Sequence, residues 1–188
     1  FLFISIFASK ILFANGFTFE TEEIKVTDNT NITKAFNGTA TSILNNFFIK
    51  AERFEYNKKL SQLKAFNGFA KYPAENIEII ADNFEYDEKK LLFKANGNVL
   101  IKDLINRISI RSENISYKIK NKIIRSVKES KIEDDLGNTF ISENFLYKVN
   151  NKLIKINNAT LIDLQKNEYE IEKAFIDLNI NKLIGKDI

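Results

Sequence analysis

The side chains that most covalent and metal chemistry depends on are missing from this chain. It contains no cysteine and no histidine, so neither thiolate nor imidazole exists to ligate zinc, attack a carbonyl or take a proton. Carboxylates and lysines remain. Glu22-Glu23 and Asp134-Asp135 are adjacent acidic pairs, the residue type of acid–base and calcium sites, but neither lies in a loop of ligand spacing, and solvated turns account for both. Lys34, Lys64 and Lys94 recur at one interval. An ammonium there can approach a phosphate, although lysines mostly face water and an outer face is the simpler reading. There is no glycine-rich phosphate loop, no Gly-x-Ser-x-Gly elbow and no paired-histidine motif. An enzyme on a β-helix scaffold would need a recurring carboxylate cluster on one face, and none recurs. The sequence therefore predicts no catalytic residues, no cofactor and no metal.

The elements that carry these residues are bounded by composition. At 188 residues, 44% hydrophobic and 28% charged, the chain suits one globular domain. Its 28 basic and 25 acidic residues leave a formal charge of +3. They alternate without forming a basic stripe, which argues against nucleic acid as a partner. The chain has no methionine, so its N-terminus reads as truncated. Residues 1–14, FLFISIFASKILFA, are almost wholly apolar and precede Asn15-Gly16, as in the hydrophobic region and cleavage zone of a secretory signal. The run falls short of the roughly 20 apolar residues of a spanning helix. The expected division is a signal peptide over 1–16 and one β-repeat domain over 17–188.

That domain repeats. Lys34-Ala-Phe-Asn-Gly38 returns unchanged as Lys64-Ala-Phe-Asn-Gly68 and, shortened, as Lys94-Ala-Asn-Gly97, at steps of 30 residues. A second marker keeps step: Ala51-Glu-Arg-Phe54-Glu-Tyr56, Ala81-Asp-Asn-Phe84-Glu-Tyr86, Ser112-Glu-Asn-Ile115-Ser-Tyr117 and Ser142-Glu-Asn-Phe145-Leu-Tyr147. Weaker copies at Thr21 and Glu172 make six units, the last incomplete. A fixed period of this length signals a repeat architecture.

Within a unit the apolar residues alternate, as at Leu91, Phe93, Ala95, Gly97, Val99 and Ile101, which is the period of a strand with one buried face. The alternation slips between Ala81 and Phe84, and a bulge or corner there would return both sets to the inside. Polar links after Tyr56, Tyr86 and Tyr147 have the length of hairpin turns. The Asn-Gly pairs at 37–38, 67–68 and 96–97 lie inside alternating segments and read as strand kinks. With one proline and no helical periodicity, the fold is expected to be all-β: about twelve strands in a curled antiparallel sheet or a β-solenoid.

The repeat resembles the OstA-like domain of the lipopolysaccharide transport machinery, shared by LptA carriers and the N-terminal part of LptD. The family pattern, Ala-Asp-x-x-x-Tyr-Asp, a turn, then Ala-x-Gly-Asn-Val, is matched best by Ala81-Asp82, Tyr86-Asp87 and Ala95-Asn96-Gly97-Asn98-Val99. Ser112 and Ser142 depart from its alanine, and Lys128 and Asn158 stand where glycine is expected. The resemblance implies a twisted, jellyroll-like fold whose apolar interior holds lipopolysaccharide acyl chains. It also implies other OstA-like domains as end-to-end partners, a periplasmic location and no enzymatic activity. Ile79, Phe84, Phe93, Val99, Ile110, Tyr117, Phe145 and Ile156 are then the expected groove residues. Because the array stops within a repeat and lacks a polar cap, the N-terminal part of an LptD-like protein, held at the outer membrane by a C-terminal barrel, is expected ahead of a free-standing LptA-like carrier. Parity alone does not separate a filled core from an open groove, and an alternating apolar stripe is far more often ordinary core than a ligand site. A ligand-free structural solenoid or adhesin, which requires parallel coils, is the alternative of another class.

Overall fold

The structure, a computed structural model, describes residues 10–14, 16–27, 31–180 and 182–186; most of the expected signal segment, residues 1–9, lies outside them. Period-two patterning becomes a run of strands: β1 Lys10–Ala14, β2 Phe17–Thr27, β3 Ile32–Ser42, β4 Phe47–Asn57, β5 Gln62–Tyr72, β6 Ile77–Asp87, β7 Leu92–Asp103 and β8 Ile108–Lys118. Two short pieces follow, β9 Ile123–Ser126 and β10 Ser130–Glu133. The chain then continues as β11 Thr139–Lys148, β12 Leu153–Ile162, β13 Glu168–Asp177 and β14 Lys182–Lys186. All fourteen belong to one antiparallel sheet in sequence order, apart from β9, which sits beside β10 between β8 and β11. Among the described residues, helix is confined to single 3-10 turns at Ile119–Asn121 and Val149–Asn151.

The all-β antiparallel expectation holds, and the parallel solenoid is excluded because each repeat is a hairpin. Two strands lie outside the expected plan. Lys10–Ala14, within the segment read as a signal peptide, pairs with β2. One expected strand is interrupted at 127–129 to give β9 and β10, whose outer neighbours are the two halves of β8 and β11.

Each long strand turns a corner at its middle, and the two sequence markers are the two sides of that corner. An asparagine at each of four corners adopts the left-handed conformation: Asn37 and Asn67 of the first marker at φ 50° and 53°, Asn98 just after its shortened copy at 49°, and Asn158 at 45°. Its side-chain amide donates to the acidic residue of the second marker: Asn37 to Glu22 at 2.9 Å, Asn67 to Glu52 at 2.9 Å, Asn98 to Asp82 at 2.9 Å and Asn158 to Glu143 at 2.8 Å. Asparagine tolerates this backbone better than other non-glycine residues, which explains its recurrence. At Gly68 the adjoining strand comes so near that an added Cβ would lie 2.0 Å from the Lys50 carbonyl oxygen. Only glycine fits there.

In β6 and β7 the pairing shifts register between Ile80 and Asn83 and between Asn96 and Val99. The extra residue lies in β7; in β6, which pairs with β5 without a shift, the corner itself leaves Ile77, Ile79, Ala81, Phe84 and Tyr86 all inside, as the broken parity of the sequence requires. At the interrupted corner the Asn–acid pair is replaced by buried hydroxyls, Ser112 lying 3.0 Å from both Ser126 and Ser130.

Because every strand bends, the sheet folds over on itself into two facing layers. Aromatic contacts between non-adjacent strands record the closure. Phe17 meets Tyr86 at 5.8 Å, Phe47 meets Tyr86 at 5.0 Å and Phe93 at 6.0 Å, and Tyr72 meets Tyr117 at 4.9 Å between ring centroids. The interior is aromatic from Phe17 to Tyr117 and mostly aliphatic beyond.

Candidate lipid-binding interior and its seam

Folding the sheet over brings its two rows of turns together along a seam. One row holds the turns at 43–46, 73–76, 104–107 and 134–138; the other holds those at 58–61, 88–91, 119–122 and 149–152. Successive turns of the second row are tied by backbone hydrogen bonds, from Glu88 N–H to Ser61 at 3.1 Å, Ile119 N–H to Leu91 at 3.1 Å and Val149 N–H to Lys122 at 3.0 Å. That row is therefore a continuous rail.

Polar groups bridge the seam at three levels. Near its start, the Asn45 amide donates to the Tyr86 hydroxyl at 2.7 Å. Next, Lys122 pairs with Glu75 at 2.7 Å. Further on, the Tyr147 hydroxyl donates to Asp103, which is 2% exposed and also accepts from the Asn106 amide at 2.7 Å and from the backbone N–H groups of Ile105 and Asn106 at 3.1 and 2.8 Å. Burial, and then the Asp103 carboxylate, push the Tyr147 hydroxyl well above the usual tyrosine range, so it remains a donor.

Glu88 closes the first level. Gly16 packs so tightly on it that a Cβ would meet Oε2 at 2.6 Å. Its Oε1 and the Tyr56 hydroxyl are both buried without a hydrogen bond. Burial raises the Glu88 carboxyl above its usual 4.5; the nearby Tyr56 hydroxyl, outside hydrogen-bonding geometry, opposes this only in part, and Asp87 adds to it. A carboxyl raised on folding stabilises the fold below its unfolded value, and that contribution is lost as pH rises through the folded value. Glu88→Gln is therefore expected to melt above the wild type at neutral pH, with the difference closing as pH falls through the raised folded value to 4.5. Thermal melts across that range check it; a gap that widens toward low pH contradicts it.

All eight residues expected from the sequence to line a groove point inward. Ile79, Phe93, Ile110, Tyr117 and Ile156 are fully buried, Phe84 and Val99 are 1% exposed and Phe145 is 2% exposed. They are brought together as packed interior: Phe84 and Phe93 touch at 5.6 Å, and Phe93 contacts Tyr72 at 5.6 Å. The interior becomes accessible elsewhere, at the C-terminal end. There a cavity of about 170 Å³ is lined by Ile108, Ile132, Phe140, Ile154, Leu161 and Ile176, among others. Among the described residues no side-chain hydrogen bond or ion pair links the turn at 134–138 to that at 178–180. β13 is mostly exposed along its first half, and β14 pairs on one side only.

Reading the sequence did not reveal the bridging residues Asn45, Glu75, Asp103 and Asn106. Tyr86 and Tyr147, the partners of Asn45, Asp103 and Asn106, were visible as the last position of a second marker, whereas Lys122, the partner of Glu75, belongs to neither marker; the residues opposite are more than 40 positions away and carry no repeat signature. Among the described residues no group of three or more acidic side chains is placed to hold a metal ion.

A doubled-over antiparallel sheet with an apolar interior and a closed seam is the β-jellyroll of LptA-type proteins. The solved structure of LptH, described as the LptA-homologous periplasmic component of the conserved lipopolysaccharide transport device from Pseudomonas aeruginosa, superposes with a TM-score of 0.51 at 20% identity, over 57% of this chain and 80% of that one. No protein-family model matches the chain, and no curated protein is found as a relative by sequence.

Proposed function

We propose that this chain is a periplasmic lipopolysaccharide-binding and transfer domain of the outer-membrane assembly machinery. The observation that carries the proposal is the apolar interior that reaches the surface at the C-terminal end, where no polar bridge among the described residues joins the two layers. An acyl chain entering between Ile154, Leu161 and Ile176 trades water for aliphatic side chains, worth about 0.8 kcal/mol per CH₂ buried. It then advances toward Ile156, Phe145 and Ile110 as the layers part. Ile79, Phe84, Phe93, Val99 and Tyr117 form the deeper part of the path. The jellyroll shared with LptH supports this reading.

Among the described residues the edge strands β1 and β14 pair on one side only, and unpaired backbone groups there suit end-to-end stacking with other OstA-like domains. Nothing in the route calls for catalysis. The same interior serves an LptA-like carrier and an LptD N-terminal domain; reading the gene beyond Ile188 separates the two.

The test is a photo-crosslinking side chain placed at Ile176, at Phe93 and at the neighbouring, outward-facing Lys94 in cells making lipopolysaccharide. Labelling is expected at Ile176 and Phe93 and not at Lys94. Equal labelling at Phe93 and Lys94 refutes the interior path.

A further inference from the structure

Three turns converge where the seam begins: 43–46, 58–61 and 88–91. Leu44, Asn45, Ser61, Glu88 and Lys89 line one shared concavity of about 290 Å³, and the Asn45–Tyr86 and Glu88–Ser61 hydrogen bonds fix the turns against one another. Ordinary turn chemistry puts glycine, asparagine or aspartate at such positions. Here Ile43, Leu44 and Leu60 stand in the solvent at 58%, 81% and 50% exposure, and Leu44 is the most exposed large apolar side chain described. They do not touch the interior and contribute nothing to the core.

Cations surround them. Lys58, Lys59, Lys89 and Lys90 occupy the same turns. Lys90 is paired with Asp87 at 3.4 Å; Lys58, Lys59 and Lys89 are exposed and have no ion pair among the described residues. Among the described residues the acidic groups on these turns are that paired Asp87 and the half-buried Glu88, fewer than the four lysines around the apolar tip.

We propose that this tip docks on the surface of a bilayer bearing anionic phosphate headgroups. Ile43 and Leu44 enter the boundary between headgroups and acyl chains, and Lys58, Lys59 and Lys89 lie against the phosphates. Apolar side chains that insert beside lysines that stay at headgroup level are the ingredients of interfacial binding, and charge complementarity selects an anionic surface. The inference is independent of what the interior carries.

Co-sedimentation of the full chain with vesicles of phosphatidylglycerol and, separately, of phosphatidylcholine tests it. Binding is expected to favour phosphatidylglycerol strongly and to weaken with salt. The triple variant K58Q/K59Q/K89Q should lose about 100-fold on phosphatidylglycerol, roughly fivefold per lysine near an anionic surface. I43S/L44S should weaken binding to both vesicles. V127S, at another exposed apolar residue, should leave binding unchanged. Every variant keeps the apolar N-terminal run, so the comparison isolates the patch. Equal binding of wild type and both patch variants overturns the proposal. So does an absence of vesicle binding accompanied by concentration-dependent self-association that I43S/L44S abolishes, which would make a second copy the occupant.

Discussion

Phe47→Ala is expected to destabilise the fold by about 3–5 kcal/mol, the cost of emptying a large aromatic site in a packed core. Phe47 is 1% exposed and lies where the layers meet. It stacks on Tyr72 at 4.9 Å and makes edge contacts with Phe17 at 6.1 Å, Tyr86 at 5.0 Å and Phe93 at 6.0 Å. Those four rings come from β2, β5, β6 and β7, so no single strand can shift to refill the space. Chemical denaturation measures the loss. A cost below about 1 kcal/mol, the range of a surface change, would mean that the two layers are not packed against each other there.

Asp103→Ala is expected to cost a similar amount, about 3–5 kcal/mol, as breaking a buried hydrogen-bonded charge network does. The carboxylate accepts four hydrogen bonds, and its loss strands the Tyr147 hydroxyl, the Asn106 amide and two backbone N–H groups. For a domain of this size the melting temperature should fall by roughly 10 °C. Tyr147→Phe removes one donor and leaves the others in place, so it should cost less, about 1–2 kcal/mol. Amide exchange should separate this effect from general loosening: Asp103→Ala should accelerate exchange at the ends of β7 and β11 before that of β3 and β4. Uniform acceleration would show that Asp103 does not hold the seam locally. Because the same bridge holds the layers together beside the C-terminal cavity, the variant should also take up lipid more readily, which the crosslinking at Ile176 reports.

Strand, hairpin and kink were legible in the residues because each depends on neighbours in sequence. Alternation at Phe93, Ala95, Val99 and Ile101 reports one buried face directly. The broken parity between Ala81 and Phe84 reports a corner, and an Asn-Gly pair inside an alternating segment reports a kink, with a bulge in β7 just after Asn96. What the alternation could not convey is that Asn67 and Glu52 are two halves of one hydrogen bond, although the repeat displayed both. The site was legible only in part. The eight inward residues follow from parity, but parity gives the direction of a side chain, not the presence of space beside it, and the structure fills most of that space with aromatic rings. The interruption at 127–129 was hidden because Ser126 and Ser130 look like ordinary polar strand residues until Ser112 is placed between them.

The sequence by itself determined the repeat, its strands, their bends and the apolar identity of the inner face, since all of these are set within a period of about 30 residues. Only the tertiary structure decided where the layers touch. Each corner turns the chain through an angle that no sequence pattern specifies, and the accumulated turning brings Asp103 to Tyr147, Glu75 to Lys122 and Leu44 to Lys89. Contacts between elements so far apart in the chain depend on the sum of many small rotations, and that sum places both the closed seam and the opening at its far end.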